Sequence, residues 1–462
     1  MSGEDEPPRV EKPPLPDPVP QAVGRPSQPK GVRVAPHRFR RAPVKPRADF
    51  FPLEARTWSD AGIDPTVVEG IVLRHLLGAG SETGRNLAAF VKLPLSLVQD
   101  VLDKLKERKF VNYRGTTAMG DFVTELTDAG AESALQSRRM TSYVGPAPVP
   151  WDHYLEALRY QALAQLSPKR ADLERAFADL HVNDDLLDRL GPAVCSGQAL
   201  FLFGEPGNGK TSLAERMTRC FVGDVWLPVT LEVGGHLVKL FDPAVHRVVE
   251  TEEGQFGSRV DRRWVRIERP TVLAGGELTL QMLEVLEDET HNICEAPLHL
   301  KANMGTFVVD DFGRGMVSPL ELLNRWILPL EKRLDFMTMP DGRKFACPFD
   351  CLLVFSTNLE PRNLADEALL RRIPYKIYVG DPLADEFMAL VVELASKLEV
   401  RLTDHSVKYL VERHFTLPKR PMRMCHARDL LQQVVHLCEF EGRERAAGPE
   451  EWDRVVQDFF GF

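Results

Sequence analysis

The chain has 462 residues, 44% of them hydrophobic and 27% charged, with a formal net charge of −9. That length exceeds what one hydrophobic core organises and points to roughly two to four domains of an ordinary soluble kind. The excess of acid excludes wholesale coating of nucleic acid, while leaving room for a local basic patch.

Residues 1–48 contain twelve of the 35 prolines and almost no periodic apolar positions, so an extended, unpacked arm is expected there. Its second half, GRPSQPKGVRVAPHRFRRAPVKPR, holds eight Arg and Lys and no acid. That composition reads as a solvated tether, and it would also suit contact with nucleic acid or an acidic partner. From Thr57 to Leu135 the periodicity turns helical. PTVVEGIVLRHLLGAG sets Val67, Ile71, Leu73 and Leu76 near one stripe, GRNLAAFVKL predicts a short second helix, and Leu95, Val98, Leu102 and Leu105 mark a third. FVNYRGTTAMGDFVTELT, with β-favouring residues around a glycine turn, predicts a hairpin. Three helices and a two-stranded wing make a winged helix, whose third helix would read DNA if the domain bound it. The exposed residues of that helix are mixed, Asp100, Asp103 and Glu107 against Lys104, Lys106, Arg108 and Lys109, which fits protein contact better than a phosphate backbone.

GPAPVPW, at 145–151, reads as a linker. ALFLFG, GTFVVDDFG and CLLVFSTN are short apolar runs bounded by turn residues and alternate with helical stretches, as buried parallel strands of an α/β core from about 155 to 380 should. Beyond Asp381 the pattern is helical again. MTMPDGRKFACPFD alternates about Asp341-Gly342 and predicts a hairpin immediately before the last of those strands. The seven cysteines include no C-x-x-C pair. Cys347 and Cys351 lack the second pair or His cluster of a zinc site and read as buried thiols. No apolar run reaches membrane-spanning length, and the acidic, proline-rich N-terminus is unlike a signal peptide, so a cytoplasmic protein is expected.

The chemistry concentrates in FLFGEPGNGKTSLAER. Gly204-x-x-x-x-Gly209-Lys210-Thr211 is the phosphate-loop pattern, and it lies between an apolar strand and a helix, where that pattern must lie. The loop Gly204, Glu205, Pro206, Gly207, Asn208, Gly209, with Lys210, Thr211 and Ser212, is the candidate phosphate-binding set. Main-chain N–H groups close on phosphate, Lys210 meets the β- and γ-phosphates, and Thr211 offers its hydroxyl to Mg²⁺. GTFVVDDFGR ends a buried strand in two carboxylates, with Asp310 placed to hold Mg²⁺ and Asp311 to polarise an attacking water. Asn358 ends the next strand and could orient that water. Arg371 and Arg372 follow a short helix, and Arg428 opens a helix in CHARDLL.

In this order after a phosphate loop, these features resemble the AAA+ ATPases, over about residues 170–450. The resemblance implies ATP with Mg²⁺ and a P-loop AAA+ core, a parallel sheet flanked by helices, followed by a helical C-terminal lid. It also implies a homo-oligomeric ring, most often a hexamer. Asn358 matches the sensor 1 position, Arg371 or Arg372 the arginine finger that reaches a neighbouring subunit, and Arg428 the sensor 2 arginine. The second acid of the pair is usually Glu in that family and is Asp311 here, one methylene shorter, which makes slow hydrolysis an open outcome. LFDPAVH, EAPLHLKANMGTFVVDDFGR, SPLELLNRWILPLEKR and PFDCLLVFSTNLEPRNLADEALLRRIPYKI further resemble bacterial chaperone-like AAA+ ATPases associated with Flp pilus assembly.

The expected layout is a basic, Pro-rich arm at 1–48, a winged-helix domain at 57–140, a linker at 141–168, an α/β nucleotide-binding domain at 169–380 and a helical lid at 381–462. Residues 212–309 are too many for a minimal core and must carry inserted elements. GQFGS within them places Phe256 where a threading ATPase could carry a pore-loop aromatic, or where a plain turn could bury it. The leading expectation is an ATP hydrolase that remodels a protein partner. A DNA-associated ATPase and a nucleotide-dependent switch with little turnover are the alternatives.

Overall fold

The computed structural model describes residues 50–250 apart from Met119, 260–288 and 292–461. The basic arm and Phe256 lie outside these residues. Among them no helix is long and apolar enough to cross a membrane.

A single turn, α1 (Trp58–Ala61), precedes α2 (Pro65–Ala79), β1 (Ser81–Thr83), α3 (Gly84–Val91), α4 (Leu95–Glu107), β2 (Val111–Thr116), β3 (Phe122–Leu126) and α5 (Asp128–Met140). Local chemistry fixes these boundaries. Asp64 accepts from Thr66 N just before Pro65, Thr83 accepts from Asn86 N, and Thr127 accepts from Gly130 N, each satisfying an orphan donor of a first turn. Val68, Ile71, Leu76, Leu87, Val98, Leu102 and Leu105 share one core with Val111. Leu95 opens α4 outside that seam and is 39% exposed. β2 and β3 form the expected antiparallel hairpin, and β1 adds on its other side to give the order β1-β3-β2.

The stretch expected to be a linker is instead ordered into the body. β4 (Val149–Pro150) pairs with a strand some 80 residues on, and α6 (Trp151–Gln161) follows it. Its prolines suggested a tether, yet Tyr154, Ala157, Leu158 and Gln161 recur at helical spacing and all four are buried.

After α7 (Arg170–Ala176) and α8 (Asp184–Ser196) comes β5 (Leu200–Phe203), then the glycine loop and α9 (Lys210–Arg216). The inserted stretch carries β6 (Val225–Pro228), β7 (Thr230–Val233), β8 (His236–Lys239), β9 (Trp264–Ile267), β10 (Thr271–Ala274), β11 (Leu286–Asp288), β12 (Ile293–Glu295) and α10 (Leu298–Lys301). β13 (Thr306–Val309), α11 (Pro319–Arg325), α12 (Ile327–Lys332), β14 (Leu334–Thr338), β15 (Lys344–Pro348), β16 (Leu352–Thr357), α13 (Glu367–Leu370) and β17 (Tyr375–Tyr378) complete the α/β part.

β10-β13-β16-β5-β17 is one parallel sheet of five strands. Every residue of β13 and β16 is buried, the signature of strands covered on both faces. Two apolar clusters lie on these strands, one with Leu202, Leu213 and Val354, the other with Phe201, Phe307, Trp326 and Phe355. A second sheet, β11-β12-β8-β7-β4, is built almost wholly from the insertion. The predicted hairpin forms as β14 and β15. Met337 and Cys347 bury its inner face against the second sheet, and Asp341 at its tip receives His236 of β8 at 3.0 Å. Cys347 and Cys351 are both buried and free. The chain closes with α14 (Ala384–Lys397), α15 (Ser406–Val411), α16 (Met424–Glu441) and α17 (Pro449–Phe460), packed around Phe387, Leu430, Val434 and Trp452.

Candidate functional site

Because β5, β13 and β16 run parallel, their C-terminal ends open on one edge of the sheet, where ligands of open α/β sheets bind. The glycine loop leaves β5, the two carboxylates leave β13 and Asn358 leaves β16. β16 separates the other two strands, so Asn358 stands between the loop and the acids.

The loop's shape depends on glycine. Gly204 has φ +144°, and a Cβ there would lie 2.3 Å from the Val379 carbonyl. Gly207 has φ +90°, and its Cβ would meet Cys425 Sγ at 2.5 Å. A side chain at either position faces both a disfavoured backbone and a collision.

Lys210 is buried, and its Nζ donates to three acceptors: the carbonyls of Gly204 at 2.9 Å and Glu205 at 2.8 Å, and Asn358 Oδ1 at 2.7 Å. Burial pushes the ammonium pKa down, against the opposing charges of Asp310, Asp311 and Glu205. With its oxygen committed to Lys210, Asn358 keeps its amide N–H groups for another acceptor. The Thr211 hydroxyl donates to Asp310 Oδ2 at 2.8 Å. Asp311 holds φ +48°, a left-handed conformation that aspartate tolerates better than most residues, and it is exposed.

A cavity of about 660 Å³ joins these groups. Pro206 through Ser212, Asp310, Asp311, Asn358 and Arg428 all line it. Val182, Leu186, Pro382, Leu390 and Leu394 add apolar lining, interleaved with His181, Asn183, Asp185, Arg189 and Glu386, and Asn183 Nδ2 donates to Glu386 Oε1 at 3.0 Å. Among the described residues no group of three or more His, Cys, Asp or Glu converges as a ready metal cage. One hydroxyl and one carboxylate side by side instead fit Mg²⁺, which keeps several waters and takes its remaining ligands from phosphate oxygens.

The other candidates stand apart. Gly204 and Glu205 shape the loop without lining the cavity. Arg371 and Arg372 do not line it either, and they differ from one another. Arg372 donates to Glu331 Oε1 and to the Ala368 carbonyl, both at 2.6 Å. Arg371 is exposed, and its side chain meets no partner among the described residues. Arg428 reaches the cavity but leans on Asp429 at 3.0 Å and is 63% exposed.

Sequence reasoning missed the cross-ties between loop and C-terminal helices. Asn208 Nδ2 donates to Asp381 Oδ1 at 2.7 Å, and its Oδ1 accepts from Met424 N at 3.2 Å. Cys425 N donates to the Gly207 carbonyl at 2.9 Å. Arg423 donates to Glu205 at 3.1 Å. These partners lie far apart in sequence and belong to no motif; only the density of arginines in KRPMRMCHARDLL hints at them.

A family model described as a domain of unknown function (DUF8689) matches residues 384–458, the helical stretch that carries Arg428. No curated protein matches the chain. Among solved structures, NtrX of Brucella abortus in complex with ATP is similar at a TM-score of 0.38 and 11% identity, over 79% of this chain and 76% of that one. The RuvB Holliday junction branch migration motor of Thermotoga maritima is similar at 0.33 and 14% identity, over 65% and 72%. A RuvB variant from the same organism gives 0.35 and 11%, over 64% and 72%. These are distant likenesses, and the functional reading rests on the side chains that converge at the cavity.

Proposed function

We propose that the chain is an AAA+ ATPase that binds ATP with Mg²⁺ in this cavity and hydrolyses it within a homo-oligomeric, hexameric ring. The observation that carries the reading is the pairing of Lys210 with Asn358 at 2.7 Å and of Thr211 with Asp310 at 2.8 Å, at the ends of parallel strands. Lys210 exchanges its carbonyl partners for phosphate oxygens. Thr211 and Asp310 would hold Mg²⁺, which neutralises phosphate charge when bound. Asp311 accepts the proton of the attacking water, and the Asn358 amide orients it. The apolar side chains of Val182, Leu186, Leu390 and Leu394 offer a surface for the base. Arg371, exposed and without a side-chain partner among the described residues, is the better candidate for an arginine that reaches a neighbouring subunit, because Arg372 is engaged within its own chain. Arg428 then reports the bound nucleotide to the helical lid.

The work done with that energy is remodelling of a protein partner, in the manner of chaperone-like ATPases associated with pilus assembly. The helices α2–α4 with the β1-β3-β2 sheet support a winged-helix reading of residues 57–140. On the outward face of α4, Gln99 donates to Asp103 at 2.9 Å and Tyr113 to the same carboxylate at 3.2 Å. Lys106 lies 4.0 Å over the same Tyr113 ring, so carboxylate and ammonium stand side by side, a mixed surface that favours a protein partner over a phosphate backbone. Phosphate release from ATP tests the reading: turnover per subunit should rise with protein concentration and with an added protein substrate. Duplex DNA as the sole stimulant would give the role to the DNA-associated alternative, and no turnover under any condition would leave a switch.

A further inference from the structure

Helix α9 has two sides. Lys210, Thr211 and Ser212 face the cavity just described, whereas Glu215 and Arg216 enter a second cleft of about 840 Å³. Strand β10, an edge of the central sheet, forms one wall of it. The carbonyls of Pro270 and Ala274 accept from Thr306 N and Asp310 N on the β13 side. Main-chain groups of successive residues in a parallel strand point to opposite sides, so those of Thr271 and Leu273 turn away from β13, into the cleft. Leu273 is also 43% exposed there. An open edge of this kind is a template for an added strand.

The charge of the cleft selects what could be added. Arg247 makes no ion pair among the described residues, and Arg216 and Arg219 share the one carboxylate of Asp179. Arg269, 9% exposed, is held through Nη1 by the carbonyls of Gln161 and Met304. Of the acids, Asp224 is taken by Arg266 at 2.7 Å and Glu215 lies 3.8 Å from Arg216. Glu268 alone meets no cation among the described residues.

We propose that this cleft docks an extended, acidic segment of a partner protein. The segment adds as a strand beside Thr271 and Leu273, sets an apolar side chain on Leu273, and pairs its carboxylates with Arg247 and Arg219. Main-chain bonding supplies affinity in such strand addition, and the flanking charges supply selectivity. The site lies outside the nucleotide cavity, and peptide binding is read with no nucleotide present, so either reading can fail without the other.

The test is fluorescence anisotropy of the full chain with a labelled synthetic peptide that alternates valine with aspartate and glutamate. Two control peptides carry lysine at the acidic positions or proline at alternate positions. The acidic peptide should bind, and each control should bind about tenfold more weakly or worse, since lysine reverses the charge and proline removes the ladder N–H. Arg219→Ala with Arg247→Ala should weaken the acidic peptide by about tenfold, and Glu268→Gln, which removes the opposing charge, should tighten it. The proposal is overturned if the acidic peptide fails to bind at about 1 mM. It is equally overturned if the lysine or proline peptide binds as well, or if the arginine substitutions change nothing.

Discussion

Replacing Lys210 with methionine keeps an unbranched stem of four heavy atoms, with sulfur in place of one methylene, and removes the ammonium. The stem is buried, so packing changes little. In the native loop the ammonium is desolvated and compensated by three acceptors. Asn358 Oδ1 lines the cavity and can turn to water, whereas the Gly204 carbonyl is left without its donor at a buried position, so the stability cost is about 1–3 kcal/mol. Nucleotide binding is weakened separately, because an ammonium–phosphate contact is charge-assisted and forms at a partly dry site. One such bond contributes about 1.5–3 kcal/mol, which predicts roughly 10- to 150-fold weaker ATP binding for Lys210→Met. Titration with a fluorescent ATP analogue gives the affinity, and thermal unfolding without nucleotide gives the fold control. A variant that remains folded and binds ATP with unchanged affinity would refute the assignment of the cavity to nucleotide.

Asp310→Asn should weaken the Mg²⁺-dependent part of ATP binding, whereas Asp311→Asn should leave binding near the wild-type value and stop phosphate release; identical behaviour of the two would undo the division of labour between them. Arg371→Ala alone should remove hydrolysis while sparing binding, and mixing that variant with Lys210→Met subunits should restore activity; Arg372→Ala should instead lower thermal stability by breaking its contact with Glu331. At the hairpin tip, the Arg343 main-chain N–H and His236 hold the Asp341 carboxyl down at about 2. A depressed carboxyl contributes its stabilisation above the unfolded value near 3.9 and loses it as pH falls through about 2, so the Arg343 amide should stay protected from hydrogen exchange at pH 4 and lose protection only toward pH 2. Asp341→Asn should abolish that acid step.

The elements that carry the site were written locally in the sequence. β5, β13 and β16 are unbroken apolar runs closed by turn residues, and the glycines of the loop can hardly serve another backbone. The hairpin at Asp341-Gly342 was legible for the same reason. The second sheet was not, because β4, β7, β8, β11 and β12 are strands of two to four residues, too short to show a period; β7–β8 and β11–β12 are local hairpins, but β4–β7 and β8–β12 join segments far apart in the chain. Nor could the sequence separate Arg371 from Arg372. That distinction rests on Glu331, forty-one positions from Arg372 and brought close only by the fold.

The ties from Asn208, Gly207 and Glu205 to Asp381, Met424, Cys425 and Arg423 bear on how the molecule can be divided. A fragment cut at the end of β17 would retain every residue of the phosphate-loop motif and still lack the scaffold that holds it. The Asn208 amide would lose both of its partners, the Gly207 carbonyl its donor, and a glycine-rich loop would regain the conformational freedom that binding must then remove. The last eighty residues are therefore part of the framework of the proposed nucleotide site, and weak binding by such a fragment would say nothing about the intact chain.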